Sequence, residues 1–223
     1  MILKTEEFAL LRERRHPMKS RLRFLMILAS ALLAVGVFTA AVALRVVSPV
    51  PSVTTSGTAA IGGPFTLVTT SGEDVSDQTY RGKWLLIFFG YTFCPDACPT
   101  ALNNISVALE KLGLDAAKLQ PLFVTVDPYR DTREFMRNYL QSFDSRIIGL
   151  TGIQDQIDHV VKEYRVYVAQ QGSEADGNDY LVSHSAYIYL MDPNGKFVNV
   201  IQGSEAGDDI AAWLRREMGN SKR

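Results

Sequence analysis

Sulfur and imidazole are scarce in this chain: two cysteines, Cys94 and Cys98, and three histidines, His16, His159 and His184, occur in 223 residues. Thiol chemistry therefore has one place to happen. Charge of one sign is also missing, since the formal net charge is −1, and the 16 basic and 21 acidic side chains beyond residue 23 are dispersed. That leaves neither a basic groove nor an aromatic stripe on which bases would stack, so no nucleic-acid partner is expected. No internal repeat is visible.

One uncharged stretch is long. Residues 24–44 are 21 residues without a charge, flanked by Arg23 and Arg45, which is enough to span a bilayer as a transmembrane helix. The first 23 residues carry seven Lys/Arg against Glu6, Glu7 and Glu13, and the positive-inside rule keeps such a segment cytoplasmic and sends the rest across. The expected organisation is a cytoplasmic basic segment (1–23), a transmembrane helix (24–44), a flexible tether rich in Pro, Gly, Ser and Thr (45–63), and one exported domain (64–223). A cleaved signal peptide competes, because Ala41-Val42-Ala43 has the small-x-small pattern. An uncleaved anchor is favoured, since the apolar core of a signal runs only about 7–15 residues. No cysteine follows the run closely, which argues against a lipid anchor. Met18 opens a self-sufficient basic region, so residues 1–17 read as an extension. Without a long Arg- and Ser-rich transit peptide, the expected location is a bacterial inner membrane with a periplasmic domain, a mitochondrial inner membrane being the alternative.

Both cysteines fall in GYTFCPDACPT, directly after the apolar run 84–90. The run reads as a strand covered on both faces, and residues 99–113 read as a helix, so the thiols sit at a helix N-terminus. The positive end of the helix dipole favours thiolate, the nucleophilic and metal-binding form. Pro95 disfavours helical backbone at Cys94, and Pro99 suits the first helical position, which puts Cys98 near the N-cap. A three-residue spacer permits a Cys94–Cys98 disulfide or capture of a soft metal such as Cu(I) by two thiolates. Plain packing of two buried cysteines, or a purely structural disulfide, would be the bland alternatives.

Further elements follow from periodicity and turn signals. An N-terminal hairpin is expected around 65–75, a buried strand at 120–126, a helix at 133–143 capped by Asp131 or Thr132, a short strand at 147–150, and a helix at 153–164. An extended piece at 165–169 precedes a polar loop at 170–179. Two strands, 186–192 and 196–202, flank the turn Pro193-Asn194-Gly195, and a helix at 207–218 closes the chain. This order predicts an α/β fold: a thioredoxin-like central sheet with flanking helices, extra N-terminal strands and an insertion before the hairpin.

Several motifs, in order, carry a specific resemblance: GGPFTLV, TYRGKWLLIFFGYTFCPDACPTAL, FVTVDPYRDT and LVSHSAYIYLMDPNGKF. Over about 150 residues the chain resembles the Sco/SenC family of membrane-anchored copper-binding assembly factors. The resemblance implies a thioredoxin-like domain that binds one copper ion, as Cu(I) or Cu(II), and helps build the binuclear copper centre of cytochrome c oxidase. Its metal ligands would be Cys94, Cys98 and His184. Asp127 would be an acidic residue near the metal, orienting His184 or helping to recognise a partner; alternatively Asp127 and Asp131 cap the turn and helix that follow, with Arg130 or Arg133 screening them. Asp96 would position the cysteine loop, with Tyr91 and Phe93 shielding it. His159 reads as a surface or core side chain.

Two functions stay open at this point. A metallochaperone, not an enzyme, would pass copper to the copper-receiving oxidase subunit by ligand exchange. An exported thiol-disulfide reductase would use Cys94 to attack and Cys98 to resolve. Either way an oxidising compartment calls for a thioredoxin-like reductant to keep the pair open.

Overall fold

The computed structural model describes residues 17–46, 61–172 and 180–220, with side chains described for 23–39 in the first stretch and up to 219 in the last. The chain divides into two units, residues 1–56 and 57–223. Among the described residues the first holds helix α1 (Pro17–Val46), whose described side chains are all exposed. Among the described residues no helix is long and apolar enough to cross a membrane. The uncharged run 24–44 continues beyond residue 39, into side chains outside the description.

The second unit is built on a seven-stranded sheet in the order β2-β1-β5-β4-β3-β8-β9. Its strands are β1 (Thr66–Thr69), β2 (Asp74–Ser76), β3 (Trp84–Gly90), β4 (Leu119–Thr125), β5 (Ile148–Thr151), β8 (Tyr187–Met191) and β9 (Phe197–Gln202). Two more strands, β6 (Val168–Gln171) and β7 (Leu181–His184), pair only with each other. The helices are α2 (Ala97–Leu112), α3 (Arg133–Leu140), α4 (Gln154–Glu163) and α5 (Gly207–Asn220).

Strand β3 is WLLIFFG and every residue is buried. A strand without a polar face must be covered on both sides and paired on both edges, and β3 lies between parallel β4 and antiparallel β8. Parallel β3–β4 and β4–β5 with antiparallel β8–β9 on the other side give the thioredoxin-like arrangement, extended at one edge by the β1–β2 hairpin. The turn after β8 closes as its sequence predicts. Asp192 accepts the amides of Asn194 and Lys196 through its side chain, and Gly195 takes φ 75°, a region that suits glycine.

Three expectations need correction. Helix α2 begins at Ala97, not at Pro99. Proline is tolerated anywhere in a first turn, where amides have no intrahelical acceptor, so Pro99 does not mark the first residue. Residues 181–184, for which the sequence predicts no strand, form β7, because the extended piece before the insertion continues into β6 and the two close as a ribbon. Thr132 alone caps α3, its hydroxyl accepting the Phe135 amide at 3.2 Å, while Asp131 turns inward. Of the loop expected at 170–179, residues 170 and 171 belong to β6 and 173–179 lie outside the described residues.

Candidate metal centre

The site forms where β3 ends. Gly90 lies under the first turn of α2 with no room for a side chain: a Cβ there would stand 2.8 Å from Cys98 Sγ and 2.9 Å from Phe123. The chain then turns through Tyr91, Thr92 and Phe93 to Cys94. Asp131, fully buried, holds this turn from below. Its carboxylate accepts the Thr92 amide at 3.1 Å, the Thr92 hydroxyl, and the Thr125 hydroxyl at 2.7 Å. Burial pushes its carboxyl above the usual range, against the pull of those hydrogen bonds.

Asp96 stands at the N-cap of α2 without a capping bond from its side chain. The Cys98 amide instead donates to Cys94 Sγ at 3.4 Å, so a sulfur takes the place of the usual capping oxygen at the positive end of the helix. Cys98 is 0% exposed and Cys94 half-buried, and both are free thiols. Their ionisation is shared. The Cys98 thiol donating to it holds Cys94 well below the ordinary thiol range, with His184 and the Cys98 and Asp96 amides adding to the effect. Being that donor, and being buried, pushes Cys98 up. The two sulfurs therefore titrate as a pair, the outer one drawn down and the inner one pushed up.

His184, the last residue of β7, brings Nε2 to 3.3 Å from Cys98 Sγ and Nδ1 to 3.2 Å from its neighbour's carbonyl, that of Ser185. Its ring meets the edges of Phe88 and Tyr91 at 6.1 and 5.9 Å between centroids. One ligand atom from each of Cys94, Cys98 and His184 lies within 4.8 Å of the others. Two sulfurs and an imidazole nitrogen at that separation form a donor set fitted to copper in either oxidation state. Beside the mouth an open depression of about 410 Å³ runs along Asp96, Ala97, Thr100, Ala186 and Tyr187.

The other candidates fall as follows. Asp127 makes its hydrogen bonds to Arg130 and Tyr180, not to His184. Tyr91 is buried against the imidazole, and its hydroxyl accepts the Val182 amide at 3.2 Å. Phe93 is 43% exposed and stacks on Phe135. His159 lies on the surface, hydrogen-bonded to the Pro64 carbonyl, and His16 is outside the described residues. Sequence reasoning offers Arg130 or Arg133 as the cation beside Asp127 and Asp131, and Arg130 does pair with Asp127; it missed Gly90, Tyr180 and the clamp made by Asp131. Only a glycine ending an otherwise bulky run hinted at the first.

Comparison with known proteins gives the family. The family model described as SCO1/SenC matches residues 53–219. The chain belongs to the SCO1/SenC family. Among its relatives, the human protein named SCO1 homolog, mitochondrial, is 38% identical over 160 residues, covering 71% of this chain and 53% of that protein. The SCO2-like protein RP587 of Rickettsia prowazekii is 38% identical over 157 residues, 70% of this chain and 77% of that one. The chain spans about half the length of the human protein and of SCO2 from Saccharomyces cerevisiae, of which it covers 48%. Among solved SCO1/SenC structures, Bradyrhizobium japonicum ScoI with copper bound superimposes with a TM-score of 0.66 at 46% identity, covering 71% of this chain and 99% of that one. Yeast Sco1 with copper bound gives 0.63 at 37% identity, with 70% and 89% covered.

Proposed function

We propose that this protein is a copper metallochaperone. Cys94, Cys98 and His184 take up one copper ion, as Cu(I) or Cu(II), and deliver it to the subunit of cytochrome c oxidase that carries the binuclear copper site, or prepare that site, during assembly. The convergence of two sulfurs and one imidazole from segments 86 residues apart carries this reading. Relatives with copper bound support it. The burial difference suits cargo transfer: a receiving thiolate reaches half-buried Cys94 first, and Cys98, beneath the helix turn, lets go last.

The same asymmetry favours a second reading as an exported thiol-disulfide reductase. The Cys94 thiolate attacks a disulfide of the partner, one partner sulfur leaves as thiolate, and a mixed disulfide forms. Cys98 then displaces the second partner sulfur, leaving the Cys94–Cys98 disulfide for a thioredoxin-like exported reductant to open. His184 forms no bond in these steps and is dispensable to them, although it adds to the pull that keeps Cys94 ionised.

The placement in the cell follows from residues 1–63. A single-pass anchor at 24–44, cytoplasmic at its N-terminus, would hold the domain 64–223 on a tether 45–63 in the periplasm, or in the equivalent space of a mitochondrion. This reading rests on the uncharged run 24–44, which lies within the helix Pro17–Val46 and exposes Phe24, Leu33 and Phe38. Copper measured on the reduced, purified chain is the test. One ion per chain is expected, falling in His184→Ala to the weak residual binding of the thiol pair alone; a chain that stayed metal-free with either oxidation state would refute the metallochaperone.

A further inference from the structure

The proposed ligand set leaves a buried cation beside it unexplained. The side chains of Arg130 and Asp127 are 3% and 4% exposed, with Nε and Oδ2 2.5 Å apart. The guanidinium carbon lies 3.6 Å from the ring centre of Tyr180, 4.7 Å from that of Phe93 and 5.6 Å from that of Tyr91. Nη1 donates to the Tyr180 carbonyl at 2.8 Å, and the Tyr180 hydroxyl returns to Asp127 at 2.8 Å. Phe93 immediately precedes Cys94, and Tyr180 immediately precedes the strand that ends on His184. One side chain therefore grips both segments that carry ligands.

The grip is directional. An ion pair, a hydrogen bond and ring faces fix the planar fork on several sides, which no compact ammonium could reproduce. Strand pairing cannot do the same work, because β7 lies outside the seven-stranded sheet. We propose that Arg130, held by Asp127, is a positioning residue that sets the separation between the Cys94 turn and β7, so that the imidazole of His184 meets the two sulfurs. The inference rests on the copper reading, and names what keeps its third ligand within reach.

The test is Arg130→Lys in the full-length chain, which keeps the charge and loses the fork. Copper affinity should fall about 10- to 100-fold, the scale for losing a group that orients a ligand. The nitrogen coupling in the Cu(II) electron paramagnetic resonance spectrum should fade as it does in His184→Ala. Added to His184→Ala, Arg130→Lys should cost no further Cu(I) affinity, measured on the residual binding of the thiol pair by chelator competition. Wild-type coupling in Arg130→Lys, or an equal further loss on the His184→Ala background, overturns the proposal. Should Arg130→Lys not fold, Tyr180→Leu removes the stacked ring and its hydroxyl while sparing the ion pair: faded coupling supports the proposal, and wild-type coupling defeats it. Metal-free protein gives an independent readout. Nuclear Overhauser contacts from His184 to Phe88 and Tyr91 should weaken in Arg130→Lys, and their full retention counts against Arg130. A wild type that takes no copper refutes the metallochaperone reading, leaving these contacts to decide on Arg130.

Discussion

Cys98 sits on a helix packed over an inner strand of the main sheet, above a glycine with no space for a methyl group. His184 sits on a ribbon of two strands whose ladder never joins that sheet. Side-chain contacts attach it instead: Tyr91 to the Val182 amide, Arg130 to the Tyr180 carbonyl, Tyr180 to Asp127, and the imidazole against Phe88 and Tyr91. The sulfur half of the site is therefore preformed by the core, and the nitrogen half is attached to it by polar and aromatic contacts. Under the metallochaperone reading, donation of a metal ion requires holding and release in one place, and a rigid pair with a more loosely anchored third ligand would suit both.

Damage to the preformed half should have the largest effect. In Gly90→Ala the new methyl meets Cys98 Sγ at 2.8 Å and Phe123 at 2.9 Å, and both neighbours are fully buried in the core. Overpacking of this kind costs about 1–3 kcal/mol. Denaturant unfolding should show that loss together with weakened copper binding and slowed disulfide reduction, since both proposed activities use Cys98. Unchanged stability would mean that the sulfur half is softer than the comparison holds.

His184→Ala should divide the two activities. Stoichiometric copper is lost, yet reduction of a disulfide substrate persists, and stability changes by only about 1 kcal/mol because the ring contributes two edge-on aromatic contacts. Copper titration and a thiol-exchange assay on the same sample make the check. Equal loss of both activities would show that the imidazole serves the thiols as well as the metal.

The two halves also differed in how readable they were. The cysteine half is local in sequence: an all-apolar strand, a Pro-flanked pair and a helix stripe occupy 30 consecutive positions or so, and periodicity captures such order. Even there the helix start was off by two residues, because proline in a first turn leaves several registers equally good. The histidine half is assembled from distant segments. Asp127 looked like a partner for His184 or a cap screened by Arg130 or Arg133, and spacing alone does not decide between the imidazole and the guanidinium three residues on that claims it. Asp131 looked like a cap and proved a buried clamp for Thr92, 39 residues away. Strand β7 was missed because its partner lies across an insertion, and a four-residue ribbon carries too little alternation to announce itself.

A smaller effect would sharpen the account of how the ribbon is attached. Tyr91→Phe keeps the ring edge against His184 and removes the hydroxyl that accepts the buried Val182 amide at 3.2 Å. Losing such a bond costs about 0.5–1.5 kcal/mol, more where the amide is left dry. Because the loss falls on β7, amide exchange at residues 181–184 should quicken while β3 and β4 stay protected. Uniform acceleration would mean that ribbon and sheet open together.

The smallest effect lies away from the sulfurs, beside the first strands of the main sheet. Tyr80 is buried, and desolvation, with Glu73 adding repulsion, raises its phenol to about 12 from a usual value of 10. The folded state thus keeps a proton that the unfolded chain releases above pH 10. By linkage, stability is lost as pH climbs from about 10 toward 12, and the slope contributed by this group ends above its folded value. Tyr80→Phe removes the ionisable group and should flatten that part of the alkaline unfolding curve without altering copper binding at neutral pH. A copper affinity that moved with this substitution would tie the edge of the sheet to the metal centre, and the preformed half would then extend across the whole sheet.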